Sequence, residues 1–148
     1  MKTFRGIKVL TAGGLLLSLS VATLAFAGTA SALTPLSAVT CSHLVGSAST
    51  ATATLSGCSA ATGGSGAISS FEPIGGKVKW SNGTKTRYTS TFTNGGTACP
   101  STTTEYNIKG TVSSSTNTSI PVGAVVKMKV CLHSSGKIKN AKGTFVKF

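Results

Sequence analysis

Between residue 50 and the end of the chain, several short runs carry apolar side chains at every second position, and that spacing suits strands rather than helices. Thr50-Ala51-Thr52-Ala53-Thr54-Leu55 alternates strictly. Val78 and Trp80 share one face of a run whose other face carries Lys77 and Lys79. Tyr106, Ile108 and Val112 oppose Glu105, Asn107 and Lys109, while Val126, Met128, Val130 and Leu132 oppose Lys127 and Lys129. A period of two marks a half-buried β-strand. Thr, Val, Ser and Gly, which disfavour helix, recur throughout the chain after Ala32.

Turn residues punctuate these runs. Ser81-Asn82-Gly83-Thr84 predicts a hairpin with a type I′ turn, whose two central residues both need positive φ. The return strand, Lys85 to Thr93, puts Tyr88 and Phe92 on one face and ends at Asn94-Gly95-Gly96. Cys99-Pro100 sits in a loop, and Val112 to Pro121 reads as a polar loop. Ser134-Ser135-Gly136 turns the chain towards a last strand from about Lys142 to Phe148. The expected fold is all-β: an antiparallel β-sandwich of about seven or eight short strands, with a small closed β-barrel as the alternative. The spacing of a true immunoglobulin domain is missing.

The start of the chain reads differently. Lys2, Arg5 and Lys8 precede an apolar run from Val9 to Phe26, which ends in Ala30-Ser31-Ala32. A basic segment, an apolar segment and a small-x-small site make a cleavable signal peptide. Residues 1–32 are therefore expected to be removed, leaving 33–148 as one secreted all-β domain with no stable membrane span. Gly13-Gly14 and scattered Ser and Thr weaken the apolar run as a permanent anchor.

Residues 33–148 are thin in large apolar side chains, and small domains with thin cores need cross-links. Cys41, Cys58, Cys99 and Cys131 are even in number and destined for an oxidising compartment, so two disulfides are expected. Of three pairings, Cys41–Cys58 and Cys99–Cys131 close the shorter loops. Each bridge is worth about 2–4 kcal/mol. One conflict arises: with Val126, Met128 and Val130 inward, Cys131 points out with the lysines. Its disulfide then lies on the outer face, or a bulge re-aims it.

Removing the three leader bases from fourteen leaves eleven against two acids, a net charge of about +9 on the domain. Arg87 is its sole arginine. Such a field attracts polyanions over roughly a Debye length, and it also keeps a protein soluble and blunts sheet edges. Lys77/Lys79, Lys127/Lys129 and Lys137/Lys139 are i, i+2 pairs, each on one face of its strand, and are the candidate polyanion-binding residues. Trp80, Tyr88, Phe92 and Tyr106 alternate towards the core and away from stacking roles. Sequence-specific nucleic-acid reading is not expected with one arginine.

Placed acids and bases are scarce. His43, His133, Glu72 and Glu105 are the only candidates for catalysis, and no Asp exists to orient a histidine. Glu72 and Glu105 are expected to be two solvated surface acids rather than a glycosidase pair. Cys41-Ser42-His43 and Cys131-Leu132-His133 share the pattern Cys-x-His, but oxidised cysteines are not thiolate ligands, so neither a metal nor a cofactor is implied. Asn82-Gly83-Thr84 and Asn117-Thr118-Ser119 match the glycosylation sequon, which matters only in a eukaryotic secretory pathway. A terminal Phe also ends many outer-membrane barrels, but short strands and lysine-bearing outer faces argue against one.

The Ala/Leu/Gly leader ending Thr29-Ala30-Ser31-Ala32 carries a resemblance, as do Leu55-Ser56-Gly57-Cys58, Gly63-Gly64-Ser65-Gly66 and Val78-Lys79-Trp80-Ser81-Asn82-Gly83. They resemble small secreted β-proteins of high-GC Gram-positive bacteria. That resemblance implies no activity and no functional residue. The leading expectation is a non-enzymatic secreted domain, associated with the cell surface, that binds anionic wall polymer or polysaccharide. The alternatives are a protein–protein interaction module and a small hydrolase using His43 or His133 with a Glu.

Overall fold

The computed structural model describes residues 39–72 and 74–148. The expected signal peptide, 1–32, lies outside the described residues. Nine strands follow in order: β1 (Thr40–Ser47), β2 (Thr52–Cys58), β3 (Ser65–Glu72), β4 (Gly75–Trp80), β5 (Lys85–Asn94), β6 (Thr103–Ser115), β7 (Val125–His133), β8 (Lys137–Asn140) and β9 (Val146–Lys147). From β1 to β8 each strand pairs antiparallel with the next. β8 then pairs with β1, and the sheet closes.

Of the two architectures left open by alternation, the closed barrel is the one formed; the strands do not divide into the two sheets of a sandwich. Inward–outward alternation is the same in both. The choice rests on β1, whose two edges are both paired, so that closure leaves no open edge. The expected last strand is split in two. β8 leaves β1 after Asn140, and β9 rejoins both β1 and β7 lower down.

Asn140 bridges the gap. Its Oδ1 accepts from the Leu44 N–H at 3.1 Å, and its Nδ2 donates to the carbonyls of Ser42 and Thr144, both at 2.9 Å. A side-chain amide thus replaces ladder bonds that β1 would otherwise lack.

The β4–β5 hairpin forms where Asn82-Gly83 predicts it, with a different turn. Only Gly83 has positive φ, 85°. Its N–H donates to the Trp80 carbonyl, and the Trp80 N–H donates to the Thr84 carbonyl, which makes a three-residue loop. The Asn82 side chain is committed instead to Ala61 and Thr84. β6 also runs three residues beyond Val112, shortening the expected polar loop.

The lower half of the barrel, around β9 and the β4–β5 turn, is filled. Trp80, Leu44, Leu55, Ile68, Ile120 and Val146 are fully buried there. Phe148 meets Trp80 edge-on at 5.2 Å and Tyr88 at 5.9 Å. Two glycines make room for these rings. A Cβ on Gly66, opposite Trp80, would sit 2.7 Å from the indole, and one on Gly76, opposite Tyr88, would sit 2.7 Å from the phenol oxygen. The Trp80 Nε1–H donates to Thr86 Oγ1 at 2.9 Å. Below it, buried Asn117 donates to the Ala61 carbonyl and to Thr84 Oγ1, which ties the β2–β3 and β6–β7 connections together. Apolar side chains face inward and lysines outward, the reverse of a lipid-embedded barrel.

Candidate functional site

The cysteines pair as Cys41–Cys58 and Cys99–Cys131, and none is free. Two disulfides suit an extracellular, oxidising compartment. Cys41 and Cys58 stand directly opposite in β1 and β2. Cys131 resolves its conflict without a bulge: it does point outward, opposite Glu105, and the 95–102 loop is drawn over both by the bond to Cys99.

Glu105 therefore differs from expectation. It lies on the outer face but is only 4% exposed rather than solvated. Its Oε2 accepts from the N–H groups of Ala98 at 2.8 Å and Cys99 at 3.2 Å, and Lys129 Nζ lies 3.5 Å from Oε1. The carboxylate anchors the loop, and a polar group buried by a disulfide-tied loop needs such partners. Alternation alone indicates the face a residue is on, not what later covers it. Glu72 is exposed, as expected.

No hydrogen bond or ion pair joins His43 or His133 to a carboxylate among the described residues. His43 is exposed, opposite Ser56 in the lower half of β1, and His133 is half-buried at the upper end of β7, opposite Thr103. The two Cys-x-His segments are thus not brought into register, and both cysteines are oxidised. Among the described residues no group of three or more His, Cys, Asp or Glu is placed to hold a metal. No described helix is long and apolar enough to cross a membrane.

The lysines fall into separate groups around the outer face. Lys77 and Lys79 on β4 stand opposite Arg87 and Lys85 on β5, four exposed bases in a square. Lys137 and Lys139 on β8 flank β1, opposite Ser47 and Val45. The third group is the densest. Lys127 on β7 has Lys109 directly opposite on β6 and Lys147 directly opposite on β9. Three ammonium groups with no ion-pair partner among the described residues thus lie abreast on adjacent strands, roughly 10 Å across. The expected partner of Lys127, Lys129, lies one step along the same face, where Glu105 neutralises it.

Beside this row is a groove of about 360 Å³, walled by Lys109, Lys127 and Lys147 and by Asn107, Thr144 and Phe145. Phe145 is 56% exposed. Asn140 holds this wall through its bond to the Thr144 carbonyl. Lys109, Phe145 and Lys147 are functional candidates that reasoning from i, i+2 lysine pairs passes over. Phe145 and Lys147 share a face two residues apart, a signal the sequence does contain. Directly opposed like charges destabilise a sheet by some tenths of a kcal/mol each. The row therefore costs stability in the isolated protein, and an anion laid across it relieves that repulsion.

No family model, no curated protein and no solved structure matches the chain. Its own geometry defines its class: a closed meander barrel, braced by two disulfides, apolar within and basic without.

Proposed function

We propose that the protein is a secreted, non-catalytic barrel that holds an anionic polymer of the cell envelope or extracellular matrix against its lysine-bearing outer face. The observation that carries this reading is the row Lys109–Lys127–Lys147, which has no acid within ion-pair distance among the described residues and lies beside exposed Phe145. The ammonium groups neutralise charges along the polymer, and the ring offers an apolar face on which a sugar can stack. The Lys77/Lys79/Lys85/Arg87 square adds to the field that draws the polymer in. The leader expected at residues 1–32 and the two disulfides support an extracellular setting, and the loose likeness to secreted proteins of high-GC Gram-positive bacteria suggests a thick anionic wall as the partner.

The test uses protein recovered from the medium of an expressing host, with its first residue determined. Leu33 at the N-terminus is expected. Retention on an anionic polysaccharide and on envelope fragments should be strong at low salt, collapse as salt rises, and weaken when Lys127 becomes Glu. Absence of retention at low salt would contradict the reading.

A further inference from the structure

The upper half of the barrel is not filled as the lower half is. Eight strands enclose an interior just wide enough for side chains or for one small ligand. At the upper end, β5, β6, β7 and β8 contribute Phe92, Tyr106, Ile108, Val130, Leu132 and Ile138. The β1–β2 turn at that end contributes only the small side chains of Ala48 and Ala51. The mismatch leaves a cavity of about 350 Å³. It opens to solvent at Phe92, which is 43% exposed and tilted against Tyr106 with ring centroids 5.7 Å apart.

We infer that this mouth is a binding site for a small, uncharged, mainly apolar molecule bearing a hydrogen-bond donor. Two further features of the chain converge on it. Ala51 and Ser70, with φ of 50° and 52°, are the only non-glycine residues with positive φ among the described residues. Ala51 lines the cavity, and its carbonyl accepts from the Phe71 N–H at 2.7 Å. Ser70 lies in a bulge where the register of β3 against β4 shifts between Ser69 and Glu72. The bulge turns Phe71, rather than Ser70, into the cavity. Strained backbone and bulges gather where a side chain must be re-aimed for a site.

The second feature is Glu72, which the bulge sets on the rim. It is the only exposed acidic side chain in the chain, since Glu105 is buried. No base lies within ion-pair distance of it among the described residues. A lone acceptor beside an apolar, aromatic-walled cavity orients a donor-bearing ligand, which is how such pockets obtain specificity. This cavity is lined mainly by inward-facing side chains and the lysine groove mainly by outward-facing ones, so the two sites are distinct. Salt separates the two, because apolar binding does not fall as ionic strength rises.

The probe is N-phenylnaphthylamine, an uncharged amine that fluoresces on entering an apolar site. Saturable binding that is insensitive to salt is expected. Ala48→Trp, at an exposed rim position, should fill the mouth and weaken binding by about tenfold or more. Phe92→Ala, also exposed, should weaken it as well. As competitors, naphthol should displace the probe better than methoxynaphthalene, which lacks the donor, and Glu72→Ala should remove that preference without abolishing binding. Absence of probe binding, or binding that Ala48→Trp leaves unchanged, would overturn the assignment. A preference for naphthol that survives Glu72→Ala would overturn the role of the carboxylate.

Discussion

Glu105 and Cys131 face one another across β6 and β7 on the outside of the barrel, and both are buried. The disulfide from Cys131 to Cys99 holds the 95–102 loop down, and the carboxylate receives that loop's Ala98 and Cys99 N–H groups. A covalent tie and a charge-assisted one thus act on the same segment. Replacing Glu105 by Gln removes the charge from both hydrogen bonds and from the contact with Lys129. The expected cost is about 1–3 kcal/mol, read by urea denaturation, with faster proteolytic nicking of the loop. Unchanged stability and nicking would mean that the disulfide alone orders the loop.

Tyr88 carries a phenol oxygen that is buried without a hydrogen-bond partner among the described residues. Burial raises its pKa well above the ordinary 10.0. A raised folded-state value stabilises the fold fully below the unfolded value of about 10, and that contribution is lost as pH climbs from there towards the folded value. The protein should therefore lose stability with rising pH above about 10, and Tyr88→Phe should flatten that loss. At neutral pH the same substitution should leave stability unchanged or raise it by about 1 kcal/mol, because the orphaned hydroxyl is removed. A clear destabilisation at neutral pH would show that the hydroxyl has a partner.

Asn140→Ala should act on both stability and binding. It strips partners from Leu44, Ser42 and Thr144 at once, for about 2 kcal/mol by thermal unfolding. It also frees the segment that presents Phe145, so retention on anionic polymer should weaken although no charge is lost. Retention equal to that of the unaltered protein would separate Phe145 from the site.

Lys127 stands between two like charges, so Lys127→Gln should raise stability by some tenths of a kcal/mol while lowering polymer affinity. Opposite signs for the two effects are the signature of a residue kept for binding. A loss of stability would mean that its aliphatic stem packs in a way that outweighs the repulsion.

Much of the barrel was legible because alternation is a local property. β4, β5, β6 and β7 carry their inward and outward sets plainly, and the Asn82-Gly83 hairpin is where it was expected. β1 and β3 were harder. In β1 the buried Cys41 and Leu44 lie three residues apart, and in β3 the bulge breaks the spacing between Ile68 and Phe71. Closure was legible only as one of two alternatives, since the choice depends on β8 meeting β1 across some ninety residues of chain. The lysine pairs lie on outward faces as expected. What alternation does not reveal is which pairs become neighbours: Lys127 gained Lys109 and Lys147, whereas Lys129 was neutralised by Glu105.

The row is tested most directly by the salt dependence of binding to one defined anionic polymer, compared between the unaltered protein and a variant with Lys109, Lys127 and Lys147 all changed to Gln. The logarithm of the binding constant should fall linearly with the logarithm of salt concentration. The slope of the variant should be shallower by about 2–3 units, because each of the three lysines in contact contributes up to about one released counterion. Identical slopes would contradict the account and leave these lysines as solubilising charge.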